Sequence, residues 1–111
     1  MSASKADIVL LYVTTRDAEE ARHIGRALVV ERLAACANVL PQMTSIYEWK
    51  DELCESSEAV LVLKTRAELV SSATARVLAL HSYECPAVVA LPVSGGSEAF
   101  AAWITSQTGP R

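Results

Sequence analysis

Two arms of strand-like sequence, separated by one tight turn, constrain the fold of this chain more than any other feature. The first arm, residues 36–49, carries apolar side chains mostly at odd positions, which is the period of two expected of a β-strand. These positions are Ala37, Val39, Met43, Tyr47 and Trp49. The second arm, residues 53–65, ends in "AVLVLKT", and "WKDEL" between the arms predicts a turn. We therefore expect residues 36–65 to form a long β-hairpin, with a bulge or an edge position at Pro41, which has no N–H to donate.

The segments on either side of the hairpin alternate between strand and helix. Residues 8–13 form a continuous apolar run that is typical of a central strand. A helix follows, since Asp17 and Glu20 have the spacing of an N-cap and its capping box. Its apolar stripe consists of Ala21, Ile24 and Leu28. After the hairpin, a second helix is predicted to run to about His81, because Pro86 cannot continue it.

Two further elements complete the chain. "AVVALPV" predicts a fourth strand, and "GGSEAFAAWI" predicts a last helix capped by Ser97. We expect Phe100, Trp103 and Ile104 of this helix to face inward. The order β-α-β-β-α-β-α, with right-handed crossovers, predicts an α+β, ferredoxin-like sandwich in which helices cover one face of the sheet. The other face is left bare, and a bare apolar face requires a partner.

Composition and charge limit the classes of protein to which this chain can belong. The 111 residues suffice for one domain with its own core, and we expect only residues 1–6 and 108–111 to be frayed. A hydrophobic fraction of 51% excludes a disordered chain, while the apolar runs are too short to span a membrane. A net charge of −3 with scattered Lys and Arg argues against nucleic acid as a partner. Three cysteines, without a C-x-x-C pair or an apolar signal segment, predict a cytoplasmic protein.

The segment "HSYECP" raises the question of a metal site. His81, Glu84 and Cys85 carry ordinary ligands of first-row metals. The alternative is a turn that ends the second helix, where the helix dipole favours a cation and an imidazole can cap the last carbonyls. Lys64, which interrupts an apolar strand, also has two interpretations. It is either a strand-end residue in water or a group that lines a cleft for an anion.

Five motifs together resemble one known family, the CutA divalent-cation tolerance proteins. They are "ERLAACANVLP", "SIYEWKDEL", "LVLKT", "ALHSYECPAVVALPV" and "FAAWI", and the resemblance covers residues 8–105. It implies a ferredoxin-like protomer assembled as a tight homotrimer, similar in architecture to the PII signalling proteins. It also implies a role in metal tolerance or as a small-ligand sensor, without enzymatic activity.

The resemblance also locates the family's proposed copper site, which uses a cysteine on the first strand and two adjacent histidines at the end of the second helix. In this chain those positions are occupied by Val13, Leu80 and His81. Two of the three ligands are therefore missing. We expect copper or another divalent cation to bind only weakly, through His81 with Cys85.

Two further sets of residues are candidates for contact with partners. Tyr47 and Trp49, near the hairpin tip, fit anchors of the trimer interface, although packing within one protomer is the alternative. If a cleft between subunits gathers charged and aromatic side chains, the trimer would hold a small anion or a metal complex, as PII-like proteins do. The candidates for that cleft are Lys64, Glu58, Tyr83 and Trp103.

An enzyme of the same fold is a further alternative. Acylphosphatases use an arginine in the first strand–helix loop to hold phosphate and an asparagine on the second strand to orient water. This chain has Arg16 and Asn38 in those regions. However, "VTTRDAEE" contains no glycine for a phosphate cradle, and two acids follow Arg16 within four residues. We therefore expect no hydrolase activity.

Overall fold

The computed structural model describes residues 7–111, so the fraying expected of residues 1–6 lies outside the described part. Four strands and three helices follow in the predicted order. They are β1 (Ile8–Thr15), α1 (Ala18–Val30), β2 (Cys36–Trp49), β3 (Glu52–Arg66), α2 (Val70–Leu80), β4 (Val88–Pro92) and α3 (Glu98–Ser106), with a 3₁₀ turn at Ala67–Leu69 before α2. The strands form one antiparallel sheet in the order β2-β3-β1-β4, which confirms the α+β, ferredoxin-like fold.

The core lies between the sheet and the pair α1 and α2. Odd-numbered residues of β1 and β3 point to this side. Leu11 pairs with Leu63 and Val13 with Leu61 in the strand register, and residues paired across two strands lie on the same face of the sheet. All four are fully buried. The apolar stripe of α1 and two small residues of α2 pack against them: Ala21, Ile24, Leu28, Ala73 and Val77. The apolar residues that recur with the helix period in α1 and with the strand period in β1 and β3 therefore meet in one core, as the sequence predicted.

The opposite side of the sheet, which we call the open face, is formed by even-numbered residues of β1 and β3 and their neighbours. Three of its large apolar side chains are half-exposed in the single chain, with Leu40 at 51%, Val89 at 50% and Leu91 at 47%, whereas Val60 is 6% exposed. Helix α3 covers only one end of this face, where Ile104 packs on Ile8. None of the helices in residues 7–111 is long and apolar enough to cross a membrane.

The β2–β3 hairpin extends well beyond the rest of the domain, and the described chain measures 51 × 26 × 22 Å. A register shift between Leu40 and Met43 confirms the bulge expected at Pro41, and β2 is also an edge strand. The shift changes which side the odd positions face. Val39 pairs with Leu61 on the core side, whereas Met43 pairs with Glu58 on the side of the open face. The turn is made by Lys50 and Asp51, both at positive φ (52° and 66°), as in the two-residue turns that suit hairpins.

The last helix differs from expectation. Only Ile104 is buried, while Phe100 and Trp103 are 44% and 42% exposed, so the prediction that all three face inward is wrong for two of them in the single chain. The reason is that α3 touches one end of the open face and has no second layer above it. Thr108 and Gly109, unlike the frayed end expected for residues 108–111, are buried and hydrogen-bonded to arginines of the preceding elements.

Candidate functional site

His81 is the residue that ends α2, as predicted, and its side chain is fully buried. The imidazole does not cap the helix carbonyls. Its Nε2 lies 2.8 Å from the carbonyl oxygen of Thr14, at the end of β1, and its Nδ1 accepts a hydrogen bond from the N–H of Tyr83 at 3.1 Å. Since Nδ1 accepts, the proton is on Nε2, which donates to Thr14. Both ring nitrogens are therefore engaged in holding the segment after α2 against β1.

Glu20 lies beneath this turn and is 5% exposed. Its backbone N–H donates to the Asp17 side chain at 2.9 Å, which confirms the N-cap. Its carboxylate does not complete the capping box. Instead it accepts from the backbone N–H of Arg16 at 2.9 Å and of Ser82 at 2.8 Å, and so joins the start of α1 to the segment after α2. The 3.8 Å approach of Glu20 Oε2 to His81 Nδ1 would be an ion pair only with a protonated ring, which the accepted Tyr83 bond argues against.

Burial acts to raise the pKa of the Glu20 carboxyl, because it disfavours the charged form. The hydrogen bonds from Arg16 and Ser82 favour the charged form and outweigh burial, so the pKa lies below its ordinary value of 4.5. Glu20 is thus a buried carboxylate at neutral pH. Sequence reasoning assigned it only to the helix cap, because its long-range partner, the backbone of Ser82, leaves no signal in the residue types.

The positions of the family's three metal ligands do not fit a metal ion in this chain. Val13 belongs to the core, Leu80 has no donor atom, and His81 uses both ring nitrogens for hydrogen bonds. Cys85 is an exposed free thiol. Within residues 7–111 no group of three or more His, Cys, Asp or Glu side chains is placed to hold a metal ion. A metal on His81 would have to displace one of its two hydrogen bonds.

The four candidate cleft residues form two separate pairs within one chain. Tyr83 donates a hydrogen bond of 2.6 Å to Glu58 Oε2. Lys64 lies six residues further along β3, about 20 Å away at the rise of a strand. Its Nζ lies 5.3 Å from the centroid of the Phe100 ring, on which Trp103 stacks with centroids 5.6 Å apart.

Two clefts lie beside these residues: Lys64 and Phe100, but not Trp103, line one of them, and Tyr83 and Glu58 line the other. The cleft beside Lys64, of about 480 Å³, lies between the end of the open face and the start of α3. The other, of about 390 Å³, lies between the hairpin and the segment after α2, and we call it the hairpin cleft. Its lining residues are Thr14, Tyr47, Trp49, Glu58, Tyr83, Glu84, Cys85 and Ala87.

The two predicted interface aromatics, Tyr47 and Trp49, thus line the same cleft as Tyr83 and Glu58. They are 43% and 53% exposed in the single chain, and the Tyr47 hydroxyl lies 3.3 Å from Ser56 Oγ. Burial, and then the hydrogen bond to Glu58, raise the pKa of Tyr83 above its usual range, so the phenol remains a donor. The bulge places Tyr47 and Trp49 on the side of Glu58.

The two residues that suggested an acylphosphatase do not meet. Arg16 is more than half exposed and lies against the carboxylates of Asp17 at 3.5 Å and Glu20 at 3.9 Å. Its backbone N–H, a potential phosphate donor, is taken by Glu20. Asn38 pairs with Val62 on β3, and Val62 pairs with Tyr12 on β1. At ordinary strand spacings Asn38 therefore lies two strands and about 16 Å away from Arg16.

A four-stranded antiparallel sheet with two helices on one face, an open second face and a projecting hairpin defines a ferredoxin-like α+β protein with a buried His–Glu turn. The CutA1 divalent ion tolerance protein family matches residues 9–107, and the chain belongs to that family.

Individual relatives agree with this assignment. "Divalent-cation tolerance protein CutA" of Thermus thermophilus is 42% identical over 100 residues, which cover 90% of this chain and 97% of that protein. "Protein CutA, chloroplastic" of Arabidopsis thaliana is 36% identical over 107 residues, and the chain spans only 59% of its length. The crystal structure of CutA1 from Ehrlichia chaffeensis has a TM-score of 0.90 at 35% identity, covering 95% of this chain and 98% of that one.

Proposed function

We propose that this chain acts as a homotrimer in the response to divalent metal ions, by binding and not by catalysis. The family match supports the role in the response to divalent ions, and the observation that carries the assembly is the open face. Leu40 on β2 and Val89 and Leu91 on β4 are half-exposed there, and large exposed apolar surfaces are typical of protein–protein interfaces. Burial between copies stabilises such a face, and a closed ring of three also covers the free edges of β2 and β4.

Catalysis has little support among the described residues. The chain contains two histidines, of which His81 has both nitrogens occupied and His23 is exposed on α1. Neither is hydrogen-bonded to a serine or cysteine side chain within residues 7–111, so a nucleophile–base pair is not formed. The three cysteines are free, which supports the cytoplasm as the proposed compartment.

The assembly is tested by light scattering after size exclusion. We expect a particle of three times the 11.9 kDa chain mass at micromolar concentration, because each protomer should bury well over about 800 Å². Leu91→Glu, on the open face, should shift the particle toward the monomer, and Trp49→Glu should weaken assembly more than Trp103→Glu. Leu78→Glu is the matched control, since Leu78 is equally exposed but lies on α2, on the helical side. A mass of one chain for the unmodified protein would contradict the proposal.

Metal binding is expected to be weak and not to occur at the family's three-ligand site, because Val13 and Leu80 supply no donor atoms. The sulfur of Cys85 is the softest donor near His81, so copper binding should weaken when Cys85 is replaced by serine. Calorimetry of the purified protein with copper, compared with His81→Ala and Cys85→Ser, measures this, and Cys54→Ser is the control thiol. Circular dichroism checks that His81→Ala is folded. Tight stoichiometric binding that His81→Ala abolishes would show that another ligand set has replaced the missing pair.

A further inference from the structure

The segment after α3 is held by two arginines that belong to other elements. Arg32 follows α1, and its guanidinium donates hydrogen bonds to the carbonyl oxygens of Ser106 at 3.0 Å and Gly109 at 2.7 Å. In return, the backbone N–H of Gly109 donates to the carbonyl oxygen of Arg32 at 2.9 Å. Arg66, the last residue of β3, donates to the hydroxyl oxygen of Thr108 at 2.8 Å and to its carbonyl oxygen at 3.0 Å. The end of α3 is therefore bonded to the ends of both α1 and β3.

From these contacts we infer that Thr108 and Gly109 form a latch, closed by Arg32 and Arg66, and that α3 is a strap that opens as a unit when the latch is broken. An open strap would uncover the end of the open face on which Ile104 packs. Every contact of the latch lies within one chain, so the inference does not depend on the proposed assembly. It also goes beyond the proposed response to metal ions.

Helix α3 depends on such contacts because it is short. It has 9 residues, and isolated helices of fewer than about 12–15 residues are only marginally stable in water. Its buried contact with the sheet is made by Ile104, which packs with Ile8 and Ala35. The last carbonyl groups of a helix have no partner within the helix, and a positive charge is favourable at that end. The guanidinium of Arg32 supplies both the hydrogen bonds and the charge.

The backbone of Arg32 makes the role of its side chain testable. Arg32 has a left-handed conformation, with φ at 62°. Glycine adopts this conformation without the steric penalty that a side chain meets. If the guanidinium had no role, Arg32→Gly should therefore change little. If the guanidinium closes the latch, the same substitution should release α3.

Hydrogen exchange of the full chain, resolved into peptides by mass spectrometry, distinguishes these alternatives. In Arg32→Gly the amides of α3 should exchange at least about tenfold faster, because two hydrogen bonds from a charged donor are lost. The amides of α2 should exchange at their original rates. Lys50→Gly is the matched control, since Lys50 also has a positive φ, of 52°, but lies in the hairpin turn, away from the latch. It should leave the exchange of α3 unchanged.

Gly109→Ala should open the latch from the other side. Gly109 has a φ of 80°, and a Cβ at this position would collide with the guanidinium of Arg66. We expect the same faster exchange of the α3 amides in this variant. Unchanged exchange of α3 in Arg32→Gly would overturn the inference. Equal acceleration of α2 and α3 would also overturn it, because it would indicate loss of stability of the whole domain and not the opening of a strap.

Discussion

Replacing Glu20 with alanine is expected to lower the free energy of unfolding by about 2–4 kcal/mol, since a buried donor left without its partner costs about 1–3 kcal/mol. The variant leaves two donors, the backbone N–H groups of Arg16 and Ser82, without their acceptor in a part-buried site. Glu20→Gln keeps one acceptor oxygen and should lose about half as much. Denaturant unfolding at a fixed protomer concentration measures both variants, since assembly contributes to the apparent stability.

The stability lost in the Glu20 variants should depend on pH in a defined direction. The pKa of Glu20 is lower in the folded than in the unfolded chain, so its carboxylate contributes stability that is fully present above 4.5 and is lost as pH falls through the folded value. The difference between the unmodified protein and Glu20→Gln should therefore be constant from about pH 6 to 8 and shrink below pH 4. Glu19→Gln, an exposed neighbour on α1, is the control. A difference that stays constant down to pH 3 would contradict the carboxylate role.

Gly25→Val is expected to cost about 1–3 kcal/mol through overpacking. A Cβ at Gly25 would lie 2.9 Å from Ala37 Cβ and 3.1 Å from Leu61 Cδ1, so α1 could not remain at its present distance from β2 and β3. The gain in helix propensity from replacing glycine is at most about 1 kcal/mol and does not compensate. Ala79→Val, at an exposed position of α2, adds the two γ-methyl groups of valine where there is room and should cost less than about 1 kcal/mol.

A double-mutant cycle tests whether the contact with Ala37 is the cause. Gly25→Ala should be less harmful in an Ala37→Gly background, because the partner Cβ at 2.9 Å is then absent. Additive effects of the two substitutions would show that the contact with Ala37 is not the cause of the lost stability. Thermal unfolding of the four proteins at one concentration gives the coupling energy.

The sequence was sufficient to predict those elements of the fold that short local patterns of residues determine. The period of two in the hairpin, the Asp17 cap of α1 and the end of α2 at His81 are all present in the structure. Pro41 marked the bulge because a missing N–H is a local property. These features depend on few residues each, and neighbours along the chain determine them.

The candidate site was less predictable because it depends on long-range geometry. Glu20 meets the backbone of Ser82 across 62 residues, and a backbone partner has no side-chain signature. Glu58 and Lys64 share one side of β3 but lie too far apart along it to form one cluster. Phe100 and Trp103 look like core residues by type, and only the position of α3 on the rim of the sheet shows that they are not.

The bulge between Leu40 and Met43 makes the outer hairpin sensitive to whether its length changes by an odd or an even number of residues. Side chains alternate along a strand, so inserting or deleting one residue there would exchange Tyr47 and Trp49 for Ile46 and Glu48 on the side of the hairpin cleft. A change of two residues would preserve the presented side and alter only the reach of the hairpin. Engineered hairpins of this protein should therefore be lengthened or shortened in pairs of residues.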